Sequence, residues 1–399
     1  MLVKPQSSNL AKIKVVGVGG AGGNAINNMI QNYEIEGVEF IAVNTDAQSL
    51  SSNRAEVKLQ IGQEITRGLG SGGNPQIGKK AAEESVDLLH EHLAGADMVF
   101  IAAGMGGGTG TGATPIIAGI AKNLGALTVA IVEKPFLFEG RKRMDIAVKG
   151  IADIQDKVDT LIVIPNQKLF EVIERNISFL DAMRKVDDVL AQAVKSISQL
   201  ITQTGMINVD FADVKAIMGN SGTALMGLGS ATGDDRAVEA TQMAINSPLL
   251  ELSIKGAKGI LLNIIGGKDL AMFEVEEAFK IISDAVDPDA IIKFGASIDP
   301  EQKDELKVTV LATGFDPTKV SSVLTGSSAS RETYNNLSSG KLLPKTDLTL
   351  KTDKTVSSVT GNGKDSEADD KSITDEDVFE DKEDQDYETP SFLRRKKEF

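Results

Sequence analysis

The sequence predicts an α/β fold with a doubly wound, mostly parallel sheet, a long central helix, a second and smaller α/β domain, and a disordered C-terminal tail. Three observations support this prediction. Short apolar segments alternate with amphipathic segments between residues 12 and 165, one helical pattern covers residues 177 to 203, and periodicity stops after Phe315. Such alternation favours right-handed crossovers, and therefore parallel strands with helices on both faces.

The N-terminal part contains six segments that are typical of buried strands. Each is four to seven residues long, rich in Val and Ile, and bounded by Gly, Asn or Asp. The six segments are IKVVGV, VEFIAV, VKLQI, DMVFIAA, LTVAIV and TLIVI. The amphipathic segments between them include AAEESVDLLHEHL and RKRMDIAVKGIADIQ, which we predict to be helical.

A single long helix is predicted next, because apolar side chains recur at steps of three and four residues. They are Phe179, Met183, Val186, Leu190, Val194, Ile197 and Ile201. A second alternating set then begins with a helix near Phe211 and includes strands within TALMGLG, GILLNII, AIIKFGAS and KVTVLATGF. We interpret this set as the smaller α/β domain.

Composition excludes several classes of function. The 399 residues are 41% apolar, enough for a folded core. There is no Cys, which excludes disulfides, thiolate zinc sites and a Cys nucleophile, and the two histidines, His90 and His92, stand two apart in a predicted helix and cannot converge on one ion. No run of about 20 apolar residues occurs, so we expect a cytoplasmic protein.

The acidic charge is concentrated near the C-terminus. Formal net charge is −15, and residues 365 to 388 carry 13 acids against two lysines. Nucleic-acid surfaces need clustered Lys and Arg, so we predict no nucleic-acid partner.

Three glycine-rich segments compete as a phosphate-binding site. Residues 17–22 (GVGGAG) match GxGxxG between a predicted strand and helix. Residues 73–80 resemble a P-loop but lack its Ser or Thr, which favours a surface turn. Residues 106–112 (GGGTGTG) offer free backbone N–H groups, two hydroxyls and the positive end of a helix dipole. The first and third loops, at the ends of neighbouring strands, imply one triphosphate held from both sides.

The motif GGGTGTG, followed about 100 residues later by NVDFAD, resembles the signature of the tubulin/FtsZ superfamily, and bacterial FtsZ in particular. The similarity runs from about Ile13 to Phe315 and includes VGVGGAGGNA, AVNTDAQSL, FEGRKR and SPLLE in the family's order. The resemblance implies a GTPase that forms filaments in bacterial cell division, binds GTP or GDP with Mg²⁺, and works in the cytoplasm at the division site, on the inner face of the membrane.

On this basis we divide the chain into six predicted regions. They are a flexible N-terminal arm (1–11), a GTP-binding domain (12–176), the central helix and its connection (177–207), a second domain carrying an acidic loop (208–315), a disordered acidic linker (316–385) and a C-terminal partner-binding peptide (386–399).

The resemblance also implies nucleotide contacts. They are Gly20, Ala21, Gly22, Gly23 and Asn24 in the first loop, Gly108, Thr109 and Gly110 at the phosphates, Glu139 and Arg143 on the ribose side, and Asp187 at the guanine. A carboxylate can accept from both N1–H and the exocyclic amine of guanine, although plain solvation of Asp187 is the alternative. The chain departs from the family at Met183, Glu133 and Ala21, where an aromatic, Thr and Gly are usual.

Hydrolysis is expected to need a second subunit. The candidate residues for activating water are Asn208, Asp210 and Asp213, although Asp210 would also suit the N-cap of the next helix. From Asp187 to Thr202, 15 helical residues carry the chain about 22 Å away from the base. Head-to-tail stacking would bring this acidic loop to the next subunit's nucleotide, and such a contact produces filaments.

The last residues form a predicted docking peptide. Pro390, Phe392, Leu393 and Arg394 belong to a short apolar and basic segment after the acidic linker. It resembles the peptide by which FtsZ binds membrane-tethering and regulatory division proteins, so we expect only indirect membrane contact, with random tail composition as the alternative.

Two rival functions remain open from the sequence. A dinucleotide oxidoreductase would use the GxGxxG loop and Asp46, 24 residues after Gly22, as its ribose-binding acid. A GTP-binding sensor that never polymerises is the other. The oxidoreductase leaves GGGTGTG unexplained, and the intact NVDFAD motif speaks against the sensor.

Overall fold

The computed structural model describes residues 11–33, 35–169, 177–203, 205–250, 252–300, 302 and 304–316. Most of the predicted N-terminal arm, almost all of the acidic linker, and the C-terminal peptide with Pro390, Phe392, Leu393 and Arg394 lie outside these residues. Within the described part, no helix is long and apolar enough to cross a membrane.

Ten strands occur in the described residues, and they include every predicted strand segment. They are β1 Ile13–Val18, β2 Val38–Asn44, β3 Val57–Gln60, β4 Met98–Gly104, β5 Leu127–Lys134, β6 Thr160–Pro165, β7 Gly222–Thr232, β8 Gly259–Gly266, β9 Ile291–Ile298 and β10 Glu305–Thr313.

Twelve α-helices and one 3₁₀ turn, Leu137–Glu139, accompany the strands in the same residues. The helices are α1 Gly19–Asn32, α2 Ala47–Ser51, α3 Gln63–Thr66, α4 Pro75–Glu84, α5 Val86–Leu93, α6 Thr109–Asn123, α7 Arg141–Gln155, α8 Asn166–Leu169, α9 Phe179–Thr202, α10 Phe211–Met218, α11 Arg236–Ile245 and α12 Met272–Ala285.

The strands form one mixed sheet in the order β3-β2-β1-β4-β5-β6-β7-β10-β8-β9. Among the described strands, only β10 runs against its neighbours, because it pairs antiparallel with both β7 and β8. The smaller set of strands joins the larger one where β7 pairs in parallel with β6. The predicted α/β fold with a mostly parallel sheet is therefore confirmed.

Two apolar clusters cover the two faces of the first six strands. One joins the sheet to α1, α9 and α10, and the other joins it to α4, α5, α6 and α7. A third cluster packs α11 and α12 against the remaining strands. Helices on both faces make the sheet doubly wound, as predicted.

The strand order reverses between β1 and β4. The chain proceeds from β1 outward to β2 and β3, and then returns to place β4 on the other side of β1. In open parallel sheets, ligands bind outside the carboxyl ends of the strands at such a switch point. The first and third glycine loops follow β1 and β4, so the topology brings both to this position.

The segment AAEESVDLLHEHL is not one helix. Residue Ser85 interrupts it, so that α4 ends at Glu84 and α5 begins at Val86. The Ser85 hydroxyl accepts a hydrogen bond from the backbone N–H of Gly62 at 3.1 Å. This contact joins the break to the loop before α3, and no local pattern in the sequence indicates it.

The P-loop-like segment serves packing. Asn74 caps α4, with its side chain accepting from the N–H of Gln76 at 2.9 Å. A Cβ at Gly78 would lie 2.3 Å from the carbonyl oxygen of Gly108, so only glycine lets α4 approach the third loop this closely. Lys79 and Lys80 are exposed. The expected surface turn is therefore limited to the residues before Pro75, and the rest of the segment is the start of α4.

The long helix α9 begins as its sequence predicts. Ser178 caps it, accepting from the N–H of Asp181 at 3.1 Å. Val186, Leu190, Val194 and Ile197 are buried, as the periodicity requires. Phe179, the first apolar residue of the predicted stripe, is 69% exposed, because the buried stripe begins one turn later.

Candidate functional site

The first and third glycine loops touch one another. Gly19 has a φ of +74°, and a Cβ there would come within 2.9 Å of the backbone nitrogen of Gly110. Any other residue at position 19 would therefore be strained and would separate the two loops. This contact brings the starts of α1 and α6 together at the carboxyl edge of the sheet.

Both helix starts are suited to an anion. All residues of α1 and α6 are described, and neither helix has a side-chain cap at its N-terminus or an acidic residue in its first turn. The first backbone N–H groups of a helix have no acceptor within the helix, and they carry its positive dipole end. Two such ends side by side favour a ligand with several phosphate groups.

The threonine hydroxyls of the third loop have partners within the protein. The Thr109 hydroxyl is buried and lies 2.7 Å from that of Thr45 and 3.0 Å from that of Ser71. The Thr111 hydroxyl accepts from the N–H of Gly106 at 2.9 Å. These contacts fix the loop, and a contact of Thr109 with phosphate stays a prediction.

An open cavity lies beside the first loop. It is lined by Gly20, Gly23 and Asn24, three of the residues predicted to contact the nucleotide. Gly22 is buried beneath the loop, and Ala21 is half-buried. In the third loop, Gly108, Thr109 and Gly110 are all buried.

A second open cavity contains the residue predicted to read guanine. Asp187 lines it together with Arg184 from the same helix and several polar side chains of α1. Asn24 and Asn27 line both cavities, so the two share a wall. The structure therefore brings Asp187 and the first loop to one connected site.

Asp187 is not simply solvated. It is half-buried, and burial, followed by the neighbouring charge of Asp188, raises its pKa to about 7. Asp188 itself accepts a hydrogen bond from Asn28 at 3.0 Å. A carboxylate held in such surroundings gains from a ligand that donates hydrogen bonds to it.

Glu139 and Arg143 pair with each other. Their charged groups lie 2.8 Å apart, and the Glu139 carboxylate also accepts from the N–H of Phe136 at 2.9 Å. A Cβ at Gly106 would lie 2.7 Å from the carbonyl oxygen of Arg143, so α7 begins against the third loop. Both predicted ribose-side residues are therefore beside the glycine loops.

Two buried residues that were not among the predicted site residues also lie in this region. Glu133 ends β5, and Asn166 follows β6, with Nδ2 of Asn166 3.5 Å from Oε2 of Glu133. The sequence showed Glu133 only as a departure from the family and did not indicate Asn166. A polar residue directly after TLIVIP, at the carboxyl end of a parallel strand, was the available signal.

The acidic loop lies elsewhere. Helix α9 runs from Asp187 to Thr202, where the Thr202 side chain meets Gly37, just before β2 begins. The glycine loops follow the opposite, carboxyl ends of the strands. Beyond α9, residues 206 and 207 hydrogen-bond to Ala296 in β9.

The three predicted catalytic residues have structural partners in this loop. Asn208 accepts from the N–H of Gly205 at 2.5 Å, and Asp210 caps α10. Asp213 pairs with Lys293 at 2.8 Å, and this contact raises the pKa of Lys293. The capping role considered for Asp210 is therefore observed, and it leaves the second carboxylate oxygen of Asp210 outside the cap.

Comparison with known proteins identifies the family. Residues 12–174 match the model of the tubulin/FtsZ family GTPase domain, and residues 222–316 match that of the FtsZ family C-terminal domain. An FtsZ dimer from M. jannaschii is 46% identical, with a TM-score of 0.74, over 78% of this chain and 93% of that one. This chain belongs to the tubulin/FtsZ family.

Two less similar structures share the fold. A GTPgS-bound protofilament of CetZ2 from Haloferax volcanii is 22% identical, with a TM-score of 0.67, and the match covers 82% of this chain and 99% of that one. A GDP-bound monomer of CetZ1 from the same organism gives 20% identity and a TM-score of 0.68 over 80% and 99% of the two chains.

Family membership supports a GTPase that binds GTP and GDP. It replaces the oxidoreductase alternative, for which Asp46 was the candidate ribose-binding acid. Asp46 instead caps α2, and hydrogen bonds from Ser49 and Gln48 hold its pKa below the usual range.

Magnesium has no protein cage among the described residues, where no group of three His, Cys, Asp or Glu side chains that could hold a metal occurs. Mg²⁺ commonly binds phosphate oxygens and water with few protein ligands. A Mg²⁺ ion carried by the triphosphate fits this site, and it would offset the phosphate charge.

Proposed function

We propose that this chain is a self-assembling cytoskeletal GTPase of bacterial cell division. It forms head-to-tail filaments, and GTP is hydrolysed at the boundary between subunits, where one subunit supplies the acidic loop to its neighbour's nucleotide. The observation that carries the proposal is the course of α9, which leads from the Asp187 cavity to the opposite edge of the sheet.

Self-association is supported by the relatives. The M. jannaschii FtsZ structure is of a dimer, and the Haloferax CetZ2 structure is of a protofilament. A head-to-tail contact uses different surfaces of the two partners and does not close, so it continues into a filament. The self-association of these relatives favours the polymerising GTPase over the non-polymerising sensor.

Each predicted residue has a role in this mechanism. The N–H groups at the starts of α1 and α6 hold the phosphates, Glu139 and Arg143 border the ribose, and Asp187 accepts from the guanine. Asp210 and Asp213 of the neighbouring subunit orient and polarise the attacking water, with Asn208 beside them. In a free subunit the two halves stay apart, so turnover rises on assembly.

The C-terminal peptide is proposed as the attachment to other division proteins. Pro390, Phe392, Leu393 and Arg394 would bind a groove on a membrane-tethering or regulatory protein, which would hold the filament indirectly at the membrane of the division site. Deletion of residues 388–399 is expected to preserve GTPase activity and filaments while abolishing binding to an actin-like tether in a pull-down. Unchanged binding would contradict the assignment.

Sedimentation with phosphate release tests the central proposal. Purified protein is incubated with GTP, GDP, ATP or NADH, and polymer and free phosphate are measured together. We expect polymer and phosphate release with GTP and with none of the other three nucleotides. A rate of phosphate release per subunit that does not change with protein concentration, without polymer, would favour hydrolysis within one subunit and contradict the shared site.

A further inference from the structure

Glu133 is a buried carboxyl group at the end of β5. It alternates with Val129 and Ile131, so it points to the sheet face that packs against α1 and α9, whereas Lys134 points to the other face. Glu133 is only 6% exposed, and its Oε1 has no hydrogen-bond partner among the described residues. The same is true of Oδ1 of Asn166. An ionised carboxylate is costly in such a place.

The charged groups around Glu133 are negative. Asp187 faces it from α9, and Glu139 faces it from the 3₁₀ turn, where Glu139 also pairs with Arg143. Asn166 is its neutral partner from α8. Asp187 in turn is close to Asp188 and shares its cavity with Arg184 and with asparagines of α1.

The difference in burial sets the order in which the two acids ionise. Glu133 is buried with one carboxyl oxygen unpartnered among the described residues, whereas Asp187 is half-buried and lines an open cavity. Burial first, and then the charge of Asp187, raise the pKa of Glu133 to about 8. Asp187, which is closer to solvent, therefore loses its proton while Glu133 is still neutral. Glu133 then has to ionise beside a charge that is already present, which is the behaviour of two interacting acids.

We infer that Glu133 is a positioning residue for nucleotide recognition: while neutral, it lets Asp187 ionise and accept hydrogen bonds from guanine, and once ionised, it adds a negative charge that weakens binding. The inference rests on the proposed GTP site. It adds the requirement that Glu133 be protonated when the nucleotide binds. Nucleotide affinity rises as pH increases through the ionisation of Asp187 and falls as pH increases further through that of Glu133.

The test is GDP binding by calorimetry from about pH 6 to about pH 9, which avoids hydrolysis. For the native chain we expect affinity to fall about tenfold within one pH unit above the Glu133 pKa. Glu133→Gln keeps the size and the polar contact with Asn166 and removes the charge. Only the small fall caused by guanine itself should then remain on the alkaline side, and the acid side should be unchanged. Glu133→Asp keeps a titrating acid and should keep an alkaline fall.

Two further variants keep the test decisive. Glu133→Thr, which has no titrating group, decides the outcome if the Gln variant does not fold, and Glu91→Gln on the exposed face of α5 should match the native chain. Guanine loses its own N1 proton at high pH equally in all variants, so each curve is judged against this common fall. An alkaline fall in Glu133→Gln or Glu133→Thr that is as steep as in the native chain overturns this inference alone, whereas absence of GDP binding at every pH overturns the proposed function as well.

Discussion

The side chain of Asp210 accepts a hydrogen bond from the backbone N–H of Asp213 at 2.7 Å. The two acids proposed to activate water are therefore joined through the first turn of α10. Because the cap uses one carboxylate oxygen, structural and catalytic roles of Asp210 can be separated by substitutions that keep or remove the acceptor.

Asp210→Asn should lose turnover without losing stability. Asn is as good an N-cap as Asp, so its unfolding free energy should stay close to the native value, whereas Asp210→Ala should lose about 1 kcal/mol. Both variants should bind GTP normally and release phosphate at least about 100-fold more slowly. Urea unfolding and phosphate release measure the two effects. Native turnover in Asp210→Asn would remove this carboxylate from the mechanism.

Mixing two variants with complementary defects, at a GTP concentration too low for Asp187→Ala to bind, tests whether the loop acts on a neighbour. Asp210→Asn has a sound nucleotide site, and Asp187→Ala has a sound acidic loop. In randomly mixed filaments, about a quarter of the boundaries would combine the two sound halves, so phosphate release should return. Cosedimentation must show both variants in the polymer. Mixed filaments without activity would mean that each loop serves its own nucleotide.

Asp187 should discriminate guanine from hypoxanthine through the exocyclic amine. Native protein is expected to bind GDP more tightly than IDP, and Asp187→Ala should lose about 2 kcal/mol for GDP while losing less for IDP. Calorimetry measures the binding free energies of GDP and IDP to the native protein and to Asp187→Ala. An equal loss for GDP and IDP would show that Asp187 does not contact the amine.

The Thr109 hydroxyl should contribute to stability. Thr109→Val leaves Thr45 and Ser71 without their shared partner, and we expect a loss of about 1 to 3 kcal/mol in the free energy of unfolding. Thr109→Ser keeps the hydroxyl and should lose less. If urea unfolding finds the Val variant as stable as the native chain, the hydroxyl cluster is dispensable for folding.

Arg236 should stabilise the smaller half of the sheet in a pH-dependent way. It is buried and binds Glu274 at 2.7 Å and Asp269 at 2.6 Å, which holds the pKa of both acids below their usual range. The resulting stability is complete above the ordinary pKa of these acids and is lost as pH falls through the lowered values. Arg236→Ala should lose about 3 kcal/mol near neutral pH and less in acid, as measured by urea unfolding. An equal loss at both pH values would exclude this origin.

The glycine loops were predictable because their chemistry lies in the backbone. Gly19 and the GGGTGTG segment directly follow predicted strands in the sequence. Parallel strands place such ends at one edge of the sheet. The extent of α9 and its buried face were likewise readable from its apolar spacing.

Contacts between distant residues were not predictable. The partners of Thr109 lie 64 and 38 positions away, so its hydroxyl gave no sign of its engagement within the protein. The place of Asn166 after β6 was readable, but its contact with Glu133, 33 residues earlier, was not. The break at Ser85 also depends on a contact outside the local pattern, with Gly62.

Helix α9 contains no Gly or Pro between Phe179 and Thr202 and therefore has no built-in hinge. One inserted residue would turn everything after it by about 100° and would bury a different stripe. An insertion of about seven residues, close to two full turns, would nearly preserve the buried face and would lengthen the helix by about 10 Å. The length of α9 can therefore change by close to whole numbers of turns, but not by single residues, if its buried face is to be kept.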